Sequence, residues 1–163
     1  MSWQPEADEI AQRRAWAAEH GGADALPRYR SQGWLTIRER LDRLVDPGSL
    51  QEVGQLSGKA SYENGKVTHV TPSTFVMGLA KIDGRPVAVG GDDFSVRGGS
   101  STGFRSKGGQ GGFSGDLAYQ YRIPLISICH GSGGSVSGIR ERGHAIFPGG
   151  RSSQHFVDLL VHV

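Results

Sequence analysis

The chain has 163 residues and a formal charge of +2, and its lysines and arginines form no block of the nuclear or RNA-binding kind, which argues against charge-driven nucleic-acid binding. Its 36% hydrophobic content is low for one domain with a real core, and 26 glycines are more than twice the usual share, so much of the chain is loop or some burial comes from elsewhere. The single cysteine, Cys129, excludes an internal disulfide framework. With no apolar signal segment or membrane-length run, the expectation is a soluble cytoplasmic protein.

In chain order, residues Pro5 to His20 are Ala- and charge-rich and predict a helix that stops at Gly21-Gly22. Thr36-Ile-Arg-Glu39 is a capping box that opens a second helix. Ile37, Leu41, Leu44 and Val45 form its apolar stripe, and Asp46-Pro-Gly48 ends it. The charges of Arg38, Glu39, Arg40, Asp42 and Arg43 read as a solvated face. Strand periodicity follows. Asn64-Gly65 suggests a turn, and Phe75–Ile82, Asp83-Gly84 and Arg85–Val89 predict a hairpin. A second helix-and-strand pair is expected from Phe113 to Tyr121 and from Leu125 to Cys129, where the thiol reads as buried. The loop His130–Ser135 then leads into a helix over Val136–Arg142. The alternation is that of an α/β fold with ligand loops at strand ends.

The segment Arg97–Gly115, RGGSSTGFRSKGGQGGFSG, is the most pointed feature. It is crowded with glycine, carries Arg97, Arg105 and Lys107, and contains no carboxylate. Glycines let backbone amides approach a ligand closely, and the added charge suits a phosphate, although a plain surface loop has the same composition. The spacing Gly103 to Gly108 starts like a P-loop, but Gly109-Gln110 stands where its Lys-Ser/Thr would be. Val136 breaks the dinucleotide fingerprint begun by Gly131-Ser-Gly133, and no serine sits in a nucleophile elbow. His130, Asp92, Ser132 and Ser135 can be drawn as a triad, yet their spacing does not support one. No metal-ligand spacing occurs among the histidines, and Asp92-Asp93 reads as a strand-end cap or a partner of Arg97.

The segment Ile37-Arg-Glu-Arg-Leu-Asp-Arg-Leu-Val-Asp-Pro-Gly-Ser-Leu-Gln-Glu52 resembles the R-E-R-(I/L)-x-x-L-x-D-x-G-S-F-x-E opening of the carboxyltransferase β subunits of biotin-dependent acyl-CoA carboxylases. The likeness runs on through Gly84-Arg-Pro-Val-Ala-Val89, Asp93-Phe-Ser-Val96, Gly98-Gly-Ser100, Ile123-Pro-Leu-Ile-Ser127 and Gly131-Ser-Gly-Gly134, in order. It implies a crotonase-like (ClpP-type) spiral of β-β-α units, of which this chain would hold an incomplete N-terminal portion. Residues 1–34 would be an N-terminal helical extension and 35–163 the partial carboxyltransferase N-terminal domain.

The resemblance also implies chemistry. Acyl-CoA would be the substrate, and carboxybiotin would arrive on a separate carrier from a biotin carboxylase and carrier subunit. The chain would act as a homo-oligomer or beside a complete carboxyltransferase chain, and would not be active alone. Gly133 and Gly134 match the glycine pair whose amides line the thioester pocket, and Ser132 the serine before it; the bland reading of the pair is a tight turn. Arg105 and Lys107 suit the CoA phosphates. His130 and Gly131 replace the more usual x-Asp. No bound cofactor or metal ligand is implied. Two other readings stay open: a non-catalytic CoA-binding or subunit-docking module, and a crotonase-fold hydratase or decarboxylase, which lacks a Glu pair for acid/base work.

Overall fold

A computed structural model of the chain describes residues 2–99, 113–130, 140 and 143. Helix α1 (Gln4–Ala18) starts with Pro5 in its first turn, where a missing N–H costs nothing. It ends two residues earlier than expected, and His20 takes a left-handed φ of 53° that turns the chain back. A helix absent from the sequence reading, α2 (Ala25–Ser31), follows. It tolerates Pro27 because that residue lies in its first turn. Helix α3 (Ile37–Leu44) has the full capping box: Thr36 accepts from the Glu39 amide, and the Glu39 carboxylate accepts from the Thr36 amide.

A four-stranded sheet holds the centre, in the order β1 (Gln51–Val53), β4 (Phe75–Ile82), β5 (Arg85–Asp92), β6 (Leu125–Ile128). Strands β2 (Gly58–Glu63) and β3 (Lys66–Pro72) form a separate ribbon, turning at Asn64-Gly65 as expected. The β4–β5 hairpin turns on Asp83 and Gly84, both at positive φ (51° and 76°), the geometry a two-residue hairpin needs. The loop after α3 locks that turn. The Asp46 carboxylate accepts from the Asp83 and Gly84 amides at 2.9 and 2.8 Å.

One face of the sheet packs on α3. Ile37, Leu41 and Val45 meet Val76, Ala80, Val87 and Val89, with Leu50, Ile82, Ile126 and Ile128 at the margin. At Gly91 a side chain would strike the tip of Ile37 and the Ile128 carbonyl, so glycine lets α3 and β6 close in together. The other face, at Gly90, receives helix α4 (Ser114–Tyr121) through Ser114. Strand β6 runs parallel to β5, pairing Ala88 with Leu125 through to Gly91 with Ile128. The succession β4, β5, α4, then a parallel β6, is one β-β-α unit with the strand that begins the next.

Three expectations need correction. Cys129 is exposed, because Ile126 and Ile128 take the core-facing side of β6 and the alternation turns Ser127 and Cys129 the other way. Leu44 is exposed too, and the stripe closes on Val45 at the C-cap instead. Arg38 and Arg40 do not form a purely solvated face. Arg38 grips Glu52 with Nη2 at 2.6 Å and Nε at 3.2 Å, and Arg40 Nε donates to the Leu35 carbonyl at 3.0 Å. The helix expected over Val136–Arg142 lies outside the described residues, apart from Arg140, which is helical.

Candidate functional site

Because β5 and β6 are parallel and in register, both chains leave the sheet at the same edge. Asp92 to Arg97 leads into the glycine-rich segment there, and His130 leads into Gly131-Ser-Gly-Gly134. In open α/β sheets this carboxyl edge is where ligands bind.

Asp93 anchors the edge. It is 1% exposed, and its Oδ2 lies 2.6 Å from His20 Nδ1. Its Oδ1 accepts from the Ser95 hydroxyl at 2.6 Å and the Ser95 amide at 3.1 Å. The Ser95 hydroxyl in turn accepts from the Gly21 amide at 3.2 Å, so the end of α1 is tied to the end of β5. Burial alone would raise the Asp93 carboxyl, but the bonds from His20 and Ser95 outweigh it and hold it below the usual carboxylate range. His20 Nδ1 therefore carries its proton toward Asp93. Arg38 Nη1, 3.3 Å from the same nitrogen, finds no lone pair there, and its fork is held by Glu52.

Four rings gather beside this anchor. His130 stacks on Phe94 with centroids 4.6 Å apart and planes 20° apart. Trp34 meets His130 and Tyr29 edge-on at 5.5 and 5.2 Å. Tyr29 Oη lies 3.2 Å from His130 Nδ1 and receives Arg40 Nη2 at 3.5 Å. Burial pushes the Tyr29 phenol up, so it keeps its proton while it shares a hydrogen bond with His130 Nδ1. The Asp92 carboxylate accepts from the His130 amide at 3.4 Å. Asp92 and Asp93 thus face different partners, as adjacent strand residues should. Among the described residues His130 and Asp92 meet only through the main chain, so this pair forms no side-chain relay for the triad drawn from the sequence.

A cleft of about 360 Å³ opens between α2 and the end of β5, lined by Arg28, Tyr29, Gln32, Trp34, Phe94 and Arg97 among others. The sequence reading missed this ring cluster. Its only sequence signal is the presence of aromatics in polar surroundings at Tyr29 and Trp34, and Tyr29 and His130 stand 101 positions apart. The residues singled out for the thioester and CoA, Gly133, Gly134, Ser132, Arg105 and Lys107, lie outside the described residues. Among the described residues no group of three His, Cys, Asp or Glu could hold a metal, and no helix is long and apolar enough to cross a membrane.

Residues 28–149 match the carboxyl transferase domain family. The chain belongs to that family. The propionyl-CoA carboxylase carboxyltransferase subunit of Haloferax mediterranei is 32% identical over 101 residues, 61% of this chain and 20% of that protein. The biotin-dependent long chain acyl-coenzyme A carboxylase beta4 subunit of Mycobacterium tuberculosis is 36% identical over 97 residues, 56% of this chain and 17% of that one. A transcarboxylase 12S crystal structure, a hexamer with methylmalonyl-coenzyme A bound, superposes with a TM-score of 0.64 at 26% identity, covering 88% of this chain and 28% of that chain. The β-β-α unit described above is therefore part of a crotonase-like carboxyltransferase fold. The chain spans about a fifth of the length of these curated relatives.

Proposed function

We propose that this carboxyl transferase domain chain provides the acyl-CoA side of the carboxyltransferase component of a biotin-dependent acyl-CoA carboxylase. The observation that carries the reading is the parallel pairing of β5 with β6, which sends both glycine-rich segments out from one sheet edge. Family membership over residues 28–149 supports it.

On this reading the main-chain amides of Gly133 and Gly134 donate to the thioester oxygen and stabilise the negative charge that gathers there when the α-carbon loses its proton. Arg105, Lys107 and Ser132 contact the coenzyme. Carboxybiotin, when delivered by a carrier subunit, supplies CO₂ by breaking its N–C bond, and the freed nitrogen accepts the α-proton. The α-carbon then forms its new C–C bond with that CO₂. The His20–Asp93–Ser95 anchor and the His130–Phe94 stack fix the roots of the two segments and take no proton from substrate. Residues 1–34 act as a helical extension that braces the edge from outside. A cytosolic setting keeps Cys129 reduced.

Purified chain is assayed for carboxybiotin-dependent carboxylation of acetyl-CoA and propionyl-CoA, alone and with a full-length carboxyltransferase chain. The reading predicts acyl-CoA binding by the chain alone, no turnover without the partner, and loss of acyl-CoA binding in Gly134→Trp. Turnover by the chain alone would contradict the incomplete-site reading. Binding without turnover in any mixture would favour a CoA-binding or docking module, and unchanged affinity in Gly134→Trp would remove that loop from the site.

A further inference from the structure

We propose that His130 is a positioning residue for the thioester site: its ring, held between Phe94 and Tyr29, sets the direction in which the Gly131–Gly134 segment leaves β6. The role rests on the acyl-CoA reading and assigns the aim of the glycine amides to a side chain outside the glycine pair.

Three of the four residues after His130 are glycines, Gly131, Gly133 and Gly134. With no Cβ to restrict φ and ψ, glycines do not by themselves aim the amides they carry, and fixing them costs more backbone entropy than any other residue. Amides that stabilise a developing charge must be in place before the charge appears. The aim therefore has to come from the point where the segment is rooted.

His130 is that root, and it is held through both main chain and side chain. Its amide donates to Asp92 Oδ2 at 3.4 Å. Its ring stacks on Phe94 at 4.6 Å and 20°, meets Trp34 edge-on at 5.5 Å, and lies 6.0 Å from the Tyr29 ring. Nδ1 shares a hydrogen bond with Tyr29 Oη at 3.2 Å. The holders are themselves fixed. Tyr29, on α2, is 7% exposed, and its oxygen receives Arg40 Nη2 from α3 at 3.5 Å. Arg40 Nε is tied to the Leu35 carbonyl at 3.0 Å. Phe94 follows directly on the buried Asp93. Helices α2 and α3 and the exit of β5 thus converge on one ring, where a turn that merely ended the strand would need none of these partners. His130 also belongs to the pair that departs from the resembling subunits, so this clamp is the chain's own.

The full chain is titrated calorimetrically with propionyl-CoA, and the ¹³C-labelled thioester carbonyl of the bound ligand is read by infrared spectroscopy at saturation. His130→Ala removes stack and hydrogen bond together and should weaken propionyl-CoA about tenfold, the upper end for one aromatic contact. Its bound carbonyl should absorb closer to the free position than in the parent. His130→Phe keeps the stack and should recover most of both readouts. His130→Gln keeps a polar partner for Tyr29 but no ring; it should behave as His130→Ala does, and keeps the test valid should that variant unfold. Arg43→Gln, at an exposed position of α3, should change neither readout. Parental affinity in the ringless variants overturns the role. So does lower affinity with the bound carbonyl unmoved from its parental position, which would make the ring a support for the fold and not for the amides' aim. If Gly134→Trp abolishes binding while the ringless variants bind as the parent does, the role fails and the acyl-CoA reading stands. If the parent fails to bind propionyl-CoA, or binds it with the carbonyl at the free position, that reading fails and takes this role with it.

Discussion

Replacing Asp93 by alanine tests the anchor that ties α1 to the sheet edge. The carboxylate is 1% exposed and accepts from His20 Nδ1, the Ser95 hydroxyl and the Ser95 amide. Truncation leaves these donors without their acceptor and opens a small void, and removing one partner of a buried charged pair costs about 3–5 kcal/mol. The lower end, about 3 kcal/mol, applies here because Ser95 can turn its hydroxyl to another acceptor. For a chain of this size that lowers Tm by about 6–12 °C. Denaturant and thermal unfolding of both proteins would measure it. The pH dependence gives a second readout. Folding lowers the Asp93 pKa, so near pH 4 the unfolded state holds more protons than the native state, and stability rises with pH there. The contribution is complete above the ordinary aspartate value of 3.8 and is lost as pH falls through the lower folded value. The alanine variant should show a shallower acid limb by that amount. A loss under about 1 kcal/mol with an unchanged acid limb would refute the reasoning.

Three further outcomes follow from the same structure. Leu41→Ala, at a site of 0% exposure under the sheet, should cost about 2–5 kcal/mol by denaturant unfolding. Thr36→Ala removes the acceptor for the Glu39 amide and should cost about 1 kcal/mol, while Thr36→Ser should restore most of it. Cys129 should react with a thiol reagent in the native protein at a rate close to that in denaturant; strong native protection would contradict its exposed position.

Much of the fold could be read from the sequence because its signals are local. The Thr36–Glu39 box, the Asp83-Gly84 and Asn64-Gly65 turns and the alternation of β4 and β5 each lie within a few residues. Helix α2 escaped because Gly22, Pro27 and the polar residues around them read as loop, and its seven residues show little periodicity. Strand β1, with three residues, is defined only by its pairing with β4. Cys129 was misread because an apolar run looks buried, whereas a strand hides alternate residues. The family and the strand-end placement of its glycine-rich segments could be inferred from ordered motifs. The His20–Asp93 pair and the four-ring cluster could not, since each joins residues that only folding brings together.

The central claim is that glycine amides at this sheet edge polarise an acyl-CoA thioester. The infrared stretch of propionyl-CoA carrying ¹³C at its thioester carbonyl reports this directly. Binding to the parent chain should move the band to lower wavenumber, and Gly134→Trp should abolish the shift. A bound thioester that absorbs where the free one does would contradict the account.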